Sequence, residues 1–411
     1  MRISLLLLPT VGIVALLACE PIPAEDPDPG SCDADLPTLA DYEAAEGTSR
    51  GTRPPGHSNE RPSFSTARSL DDAPYTAVVG GRHGQQGLLL SFDAGGAYQW
   101  GRLLGHCEYD EIESVAQFAD GAIAATTSFR ADGEMHTELL GFLPTGETAW
   151  RVPLCTSSAA FDEHHAAVEI DHSDEAAVVA ATCGGSTLHL RRVDASGATV
   201  VSRDLTAADL PGVDLPTLTD LAVDRFPGSA ASDILLGFRA TAVSLDAAFG
   251  VAWTFPTDPM SGGSVEVEAC GSYAYAAATG EEFLSGEHVL YQLDRGGAAR
   301  WSHRMEDDDW GGPQGVLRGD RFNLRCNEQD LAEIVMFASR GGTEYPREIV
   351  GATFLTDGAL FQTVEGTRPD GVFHRGTAGV GASAPALLVL EGGRFSVQGE
   401  ERFGWASTRV E

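Results

Sequence analysis

The chain has 411 residues, with 60 acidic side chains against 27 basic ones, a formal net charge of -33 and no lysine anywhere. So negative a surface argues against nucleic acid as a partner and against contact with anionic lipid, while it keeps an exposed protein soluble. Lysine codons are AT-rich, so their absence speaks of a GC-rich genome more than of function.

The N-terminus opens with Arg2, an apolar stretch from Ile3 to Leu17, and then Leu16-Leu17-Ala18-Cys19. This is the layout of a secretion signal, and the stretch is short for a stable membrane span. Its end resembles the lipobox of bacterial lipoproteins, which implies that residues 1–19 are a signal peptide and that Cys19 becomes a diacylated anchor in a membrane. The Glu20 that follows implies passage to the outer membrane, facing the periplasm or the cell surface. Residues 20–61 are rich in Pro, acidic residues, Gly and Ser without periodicity, and are expected to be a disordered tether.

From residue 62 to 411 one phrase recurs about every fifty residues: an apolar run with period two, then Asp-x-x-Gly-x-x-x-Trp. The copies are Asp93/Gly96/Trp100; Gly146/Trp150 with Leu143 in the Asp place; Asp194/Gly197 with Val201 in the Trp place; Asp246/Gly250/Trp253 with Gly shifted by one; and Asp294/Gly297/Trp301. Period two predicts strands, and Asp followed by Gly predicts a turn, so each phrase reads as a β-hairpin. Ahead of each hairpin stand two more short apolar runs, as in Ser114–Phe118 and Ala122–Phe129 joined at Ala119-Asp120-Gly121. Each unit therefore holds four strands. The expected fold is an all-β β-propeller of four-stranded antiparallel blades, with seven the expected number and six or eight left open. The sixth unit, Phe354 to Gly358, lacks the Trp, and the seventh, around Ala386 to Trp405, matches less well still.

The stretch from Leu88 to Phe129, with its Asp-Gly-Gly-Trp phrase, Gly105, Tyr109-Asp110-Glu111 and Ala119-Asp120-Gly121, resembles one repeat of the bacterial propellers that carry SBBP-type or PQQ-like repeats. That resemblance implies a lipid-anchored cell-envelope propeller acting as a non-enzymatic binding or scaffold module, with a protein or a glycan as its ligand. It also implies two alternatives. One is a quinoprotein oxidoreductase with quinone and calcium in its channel, although the vicinal disulfide of those enzymes is missing here. The other is the propeller lipoprotein of outer-membrane protein assembly, from which the cysteines and the long acidic tether depart. No Gly-x-Ser-x-Gly elbow supports a serine hydrolase.

With Cys19 taken by lipid, Cys32, Cys107, Cys155, Cys183, Cys270 and Cys326 remain, an even number that suits disulfides in an oxidising compartment. Cys270 and Cys326 each end the first strand of successive units and form a plausible clip. The pairing of the other four stays open.

Candidate ligand residues fall in the connections between units: Asp110 and Glu111, then Asp162 and Glu163, then Asp307, Asp308, Asp309 and Trp310. Converging carboxylates there would suit a hard cation such as calcium, or they form a solvated acidic rim. His164, His165 and His172 make the one histidine cluster, expected as surface residues of a loop. The tryptophans of the phrase are expected to pack between blades, and no catalytic or cofactor-binding residue is assigned.

Overall fold

The computed structural model describes residues 38–41, 50–52, 62–69, 75–83, 86–93, 98–105, 109–131, 133–158, 164–171, 173–223, 234–257, 263–270, 272–279, 288–305, 318–326, 332–339, 348–367, 372–379, 387–397 and 400–410. Among the described residues the elements are strands, apart from one 3-10 turn, Leu215–Thr217. They pair into seven antiparallel sheets. Five consecutive sheets are built from four strands in chain order. The second holds Tyr109–Gln117, Ile123–Ala131, Glu134–Phe142 and Thr148–Ser157, and the third holds His164–Asp171, Ala176–Cys183, Thr187–Asp194 and Thr199–Thr206. The fourth holds Asp220–Val223, Ile234–Phe238, Thr241–Leu245 and Val251–Pro256; the fifth begins with Ser264–Cys270 and the sixth with Arg318–Cys326.

The strands form where the period-two pattern places them, and their burial explains the composition. Ala176–Cys183 is buried at every position, as a strand must be when neighbouring sheets cover both its faces. The first strand of each sheet packs on the first strand of the next, and Val372–Gly379 of the seventh sheet packs on Pro62–Ser69 of the first. A closed cycle of inner strands with the sheets radiating from it is a β-propeller. Apolar clusters fill the spaces between sheets, one of them combining Ala177 and Val179 of the third sheet with Ala116, Ala124 and Leu139 of the second.

Two short strands depart from the reading of residues 20–61 as a structureless tether. Thr38–Asp41 pairs with Tyr98–Gly105 as a fifth, outer strand of the first sheet. Arg50–Thr52 pairs with Glu400–Val410 and supplies the outermost strand of the last sheet. A strand can join a sheet edge through its backbone groups, which requires no apolar period in the sequence.

Antiparallel order gives the ring two unlike ends. At one end lie the turns joining strands one to two and three to four, including every Asp-x-x-Gly. At the other lie the turns joining strands two to three, together with the connections from each outer strand to the next inner strand.

Candidate functional site

The hairpin end is a repeated mechanical joint. In the Asp194 turn the Gly197 N–H donates to the Asp194 carbonyl, the Asp194 N–H donates to the Ala198 carbonyl, and the Asp194 carboxylate accepts from the backbone of Ser196 and Ala198. Gly197 sits at φ 86, in the left-handed region that favours glycine. Trp150 of the preceding sheet lies on that glycine and donates its indole N–H to the Ala195 carbonyl at 2.9 Å. The same joint links Trp100 to Pro144 and Gly146, Trp253 to Arg295 and Gly297, and Trp301 to Thr356 and Gly358. The tryptophans therefore pack between sheets, as expected.

One joint differs, and the difference is informative. In the third sheet Val201 stands where Trp is expected, and the turn it meets places Phe249 at φ 63 in the glycine position. The hydrogen bonds are unchanged: Phe249 N–H donates to the Asp246 carbonyl and Asp246 N–H to the Gly250 carbonyl. Phe249 is fully buried in the cluster against which Val201 packs. Where the indole is absent, an aromatic ring from the turn fills the space.

Residues 106–108, 158–163, 207–219, 257–263 and 306–317 connect successive sheets and differ in length and composition. The 207–219 connection folds into the core, burying Leu210, Leu215 and Leu218, and its start is tied by the Thr206 hydroxyl donating to Asp209.

A disulfide joins Cys155, on the outer strand of the second sheet, to Cys183, at the end of the second strand of the third. These positions are not equivalent in the two units, so a search for like positions does not find the pair. Cys270 and Cys326 do end the first strands of neighbouring sheets, and those strands pack together, but their side chains lie outside the described residues.

Beside this disulfide runs a polar seam between the second and third sheets. Glu113 is the extra residue of a β-bulge between Ile112 and Ser114 on the inner strand of the second sheet. Its Oε2 accepts the Ala166 N–H of the neighbouring inner strand at 2.6 Å, while its Oε1 is buried with no hydrogen-bond partner among the described residues. Burial pushes this carboxyl up to about 8, although the Ser128 hydroxyl and the Ala166 N–H favour its ionised form. Onward from Ser128 the Oγ lies 3.0 Å from Thr137 Oγ1, which lies 3.1 Å from His164 Nδ1, and His164 Nε2 lies 3.0 Å from Ser157 Oγ. His164 is 2% exposed, and burial, helped by neighbouring His165 and His136, pushes its imidazole down to about 4. It is thus a buried bridge, not the surface loop histidine expected from sequence.

Chemically, a serine on a histidine resembles a nucleophile and its base. Here the other imidazole nitrogen meets a neutral hydroxyl where such a base meets a carboxylate, and burial weakens the base further. Among the described residues the seam is a hydrogen-bonded bridge across two sheets.

Of the candidate ligand residues, Asp110 is fully buried on the inner strand, where it accepts a hydrogen bond from Thr127, and does not stand on an acidic rim. Glu111, next to it, is half-buried. Asp162, Glu163, Asp307, Asp308, Asp309, Trp310 and Cys19 lie outside the described residues. Among the described residues no group of three His, Cys, Asp or Glu side chains is arranged to hold a metal ion, and no helix is long and apolar enough to cross a membrane. Sequence reasoning missed Glu113, whose one signal was a carboxylate interrupting the apolar run from Ile112 to Phe118.

No family model matches the chain, and no curated protein does. Solved structures do. A β-propeller domain from Myceliophteria thermophila is 10% identical with a TM-score of 0.49, covering 87% of this chain and 100% of that one. A periplasmic gluconolactonase from Pseudomonas aeruginosa is 14% identical with a TM-score of 0.48, covering 82% and 99%. A lectin in complex with alpha methyl fucoside is 11% identical with a TM-score of 0.44, covering 75% and 96%. At such identities the likeness is one of fold alone, and the propeller architecture stands on the sheet pairing and the cycle of inner strands.

Proposed function

We propose that this chain is a lipid-anchored propeller of the cell envelope, of seven blades, that works as a non-enzymatic binding or scaffold module through its connection end. Seven sheets and the packing of the last inner strand on the first support the blade number. The observation that carries the binding reading is the contrast between the ends. One end repeats a single joint whose carbonyls, indoles and glycines are consumed by the fold. The other presents connections of unlike length that carry acidic side chains, which is where a constant scaffold leaves room for recognition. The ligand class that fits is a protein or a glycan, with calcium as the candidate ion at the acidic connections. Anchorage at Cys19 in the outer membrane completes the reading and rests on the N-terminal sequence.

The test compares the ends in the full chain on arrays of envelope proteins and glycans. Asp307→Asn/Asp308→Asn/Asp309→Asn with Trp310→Ala is expected to abolish binding, and Asp194→Asn with Asp294→Asn to leave it intact. Equal loss from both sets would sink the binding-end reading. Calorimetry with calcium should show heat in the parent chain, and no heat removes the ion. Incorporation of labelled fatty acid should vanish in Cys19→Ala.

A further inference from the structure

The N-terminal strand enters the ring at one end and not the other. Thr38–Asp41 runs antiparallel to Tyr98–Gly105, with Thr38 opposite Gly105 and Asp41 opposite Arg102. Gly105 is the last residue before the 106–108 connection, so Thr38 stands at the connection end and the chain runs from there toward the hairpin end. Arg50–Thr52 runs the other way. Arg50 lies opposite Ala406 and Thr52 opposite Gly404, and Glu400–Val410 starts at the connection end, where Glu400 pairs with Val397. Chain that first met the ring at Arg50 would therefore arrive from the hairpin side. The first sheet has four strands without Thr38–Asp41, so this strand completes no blade. What it decides is the end from which the preceding chain leaves.

We propose that Thr38–Asp41 is an orienting strand: docked on the first sheet, it turns the connection end toward the membrane that holds Cys19. A ligand of that end is then one presented at the membrane surface, not a bulky one arriving from solution. This rests on reading Cys19 as the anchor and the connection end as the binding end, and it adds where the ligand of that end is met. The argument is one of length and direction. Residues 20–37 separate the anchor from the docked strand, a span of at most about 60 Å at full extension. They leave the ring at the connection end. To bring the hairpin end to the membrane they would have to turn back along the height of a sheet, which for a strand such as Glu134–Phe142, of nine residues, is roughly 30 Å. Half of the reach would be consumed by that return. With the strand undocked, residues 20–49 lead to the ring and meet it at Arg50 from the hairpin side, so the lead is longer and its direction is reversed.

The test uses the full lipidated chain on neutral phosphatidylcholine vesicles with an acceptor dye on the lipid head groups. A fluorescent amino acid is placed at Glu134 or at Glu147, two exposed residues of the second sheet at its connection end and its hairpin end. Energy transfer should be at least about twofold stronger from position 134, given a height difference of roughly 30 Å. Streptavidin should capture a biotin at position 147 faster than one at position 134. Leu39→Pro/Ala40→Pro removes backbone donors from the docked strand. It should abolish or reverse both differences, while amides of Arg102–Gly105 lose protection from hydrogen exchange. Stronger transfer from position 147 in the parent would overturn the orienting strand, as would an unchanged preference in the proline variant once those amides have lost protection. Unprotected outward amides in Arg102–Gly105 of the parent would overturn it without any variant. A parent chain that leaves the vesicles overturns the anchor and the orientation together. The expected orientation with no ligand found for the connection end would uphold the orienting strand and remove the binding-end reading, so the two fail separately.

Discussion

The two ends of the ring solve the same problem, joining one sheet to the next, by opposite means. At the hairpin end the joint is repeated and self-consistent: an indole, a left-handed glycine and a backbone carbonyl fit one another, and Val201 with Phe249 shows that the partners change together. At the connection end between the second and third sheets the joint is singular, made of one disulfide, one bulge and a chain of hydroxyls around one imidazole. A repeated joint is legible and robust. A singular joint can be tuned to conditions.

Removing the disulfide should have the largest effect. The bridge closes a loop of sequence separation 28, and loop-closure entropy for such a span amounts to about 3 to 4 kcal/mol. Cys155→Ser/Cys183→Ser should lose about that much in denaturant unfolding and should loosen the 158–163 connection first, as read by limited proteolysis. Uniform loosening around the ring would show that the connection end has no joint of its own.

Next in size are the turn glycines. A Cβ at Gly197 would stand 2.7 Å from Trp150, whereas at Gly133, with a similar φ of 80, it would meet nothing within 4 Å. Left-handed backbone alone costs about 1 to 2 kcal/mol and overpacking about 1 to 3 more. Gly197→Ala should therefore lower stability by about twice as much as Gly133→Ala in chemical unfolding, and equal losses would reduce the joint to backbone conformation.

Val201→Trp tests the pairing rule itself. Alone it forces an indole onto Phe249 and should destabilise by about 1 to 3 kcal/mol. With Phe249→Gly it recreates the joint found elsewhere, so the double variant should recover most of that loss, a coupling that a double-mutant cycle measures. Additive losses would mean that the exchange of Trp for Phe is coincidental.

This pairing also explains what the sequence could and could not disclose. The Asp-x-x-Gly turns, the period-two strands and the packing role of Trp100, Trp150, Trp253 and Trp301 were legible because each follows from local chemistry repeated in register. The shifted glycine at Gly250 was visible but had no meaning until Phe249 was seen filling the space left by Val201. The seam was not legible. Glu113, Ser128, Thr137 and Ser157 stand one on each strand of the second sheet and His164 on the next sheet, so both strand pairing and sheet packing are needed to bring them together. His164 looked like a loop residue because it follows Asp162 and Glu163 at the very start of its strand.

The seam and a second buried histidine, on the fifth sheet, make stability depend on pH. His164 and His288 are both held near 4 by burial, below the ordinary value of 6.5. Between those values the unfolded chain takes up protons that the folded chain does not, so stability falls as pH drops from about 6.5 toward 4. Glu113 acts in the opposite sense. Its folded value of about 8 exceeds 4.5, so its contribution is full below 4.5 and is lost as pH rises through about 8. A profile of Tm against pH should show a maximum between these limbs. Glu113→Gln should flatten the alkaline limb only, and loss of the acid limb in that variant would show the two groups to be one titrating unit.

The smallest effect belongs to the hairpin end. The Asp194 carboxyl is held below the ordinary carboxylate value by the Ser196 hydroxyl, with the Ala198 and Ser196 backbone N–H groups adding to it. A depressed carboxylate contributes above its unfolded value and loses that contribution only as pH falls through the folded one. Asp194→Asn should therefore lower Tm slightly at neutral pH and not at all in strong acid, with its exchange protection changed only in residues 194–198. The residue is only half-buried and its turn is already fixed by Gly197 and the indole of Trp150, so the joint has other supports. If Asp194→Asn instead loosened the 158–163 connection, the two ends would be coupled through the third sheet, and the separation of a fixed end from a tunable one would fail.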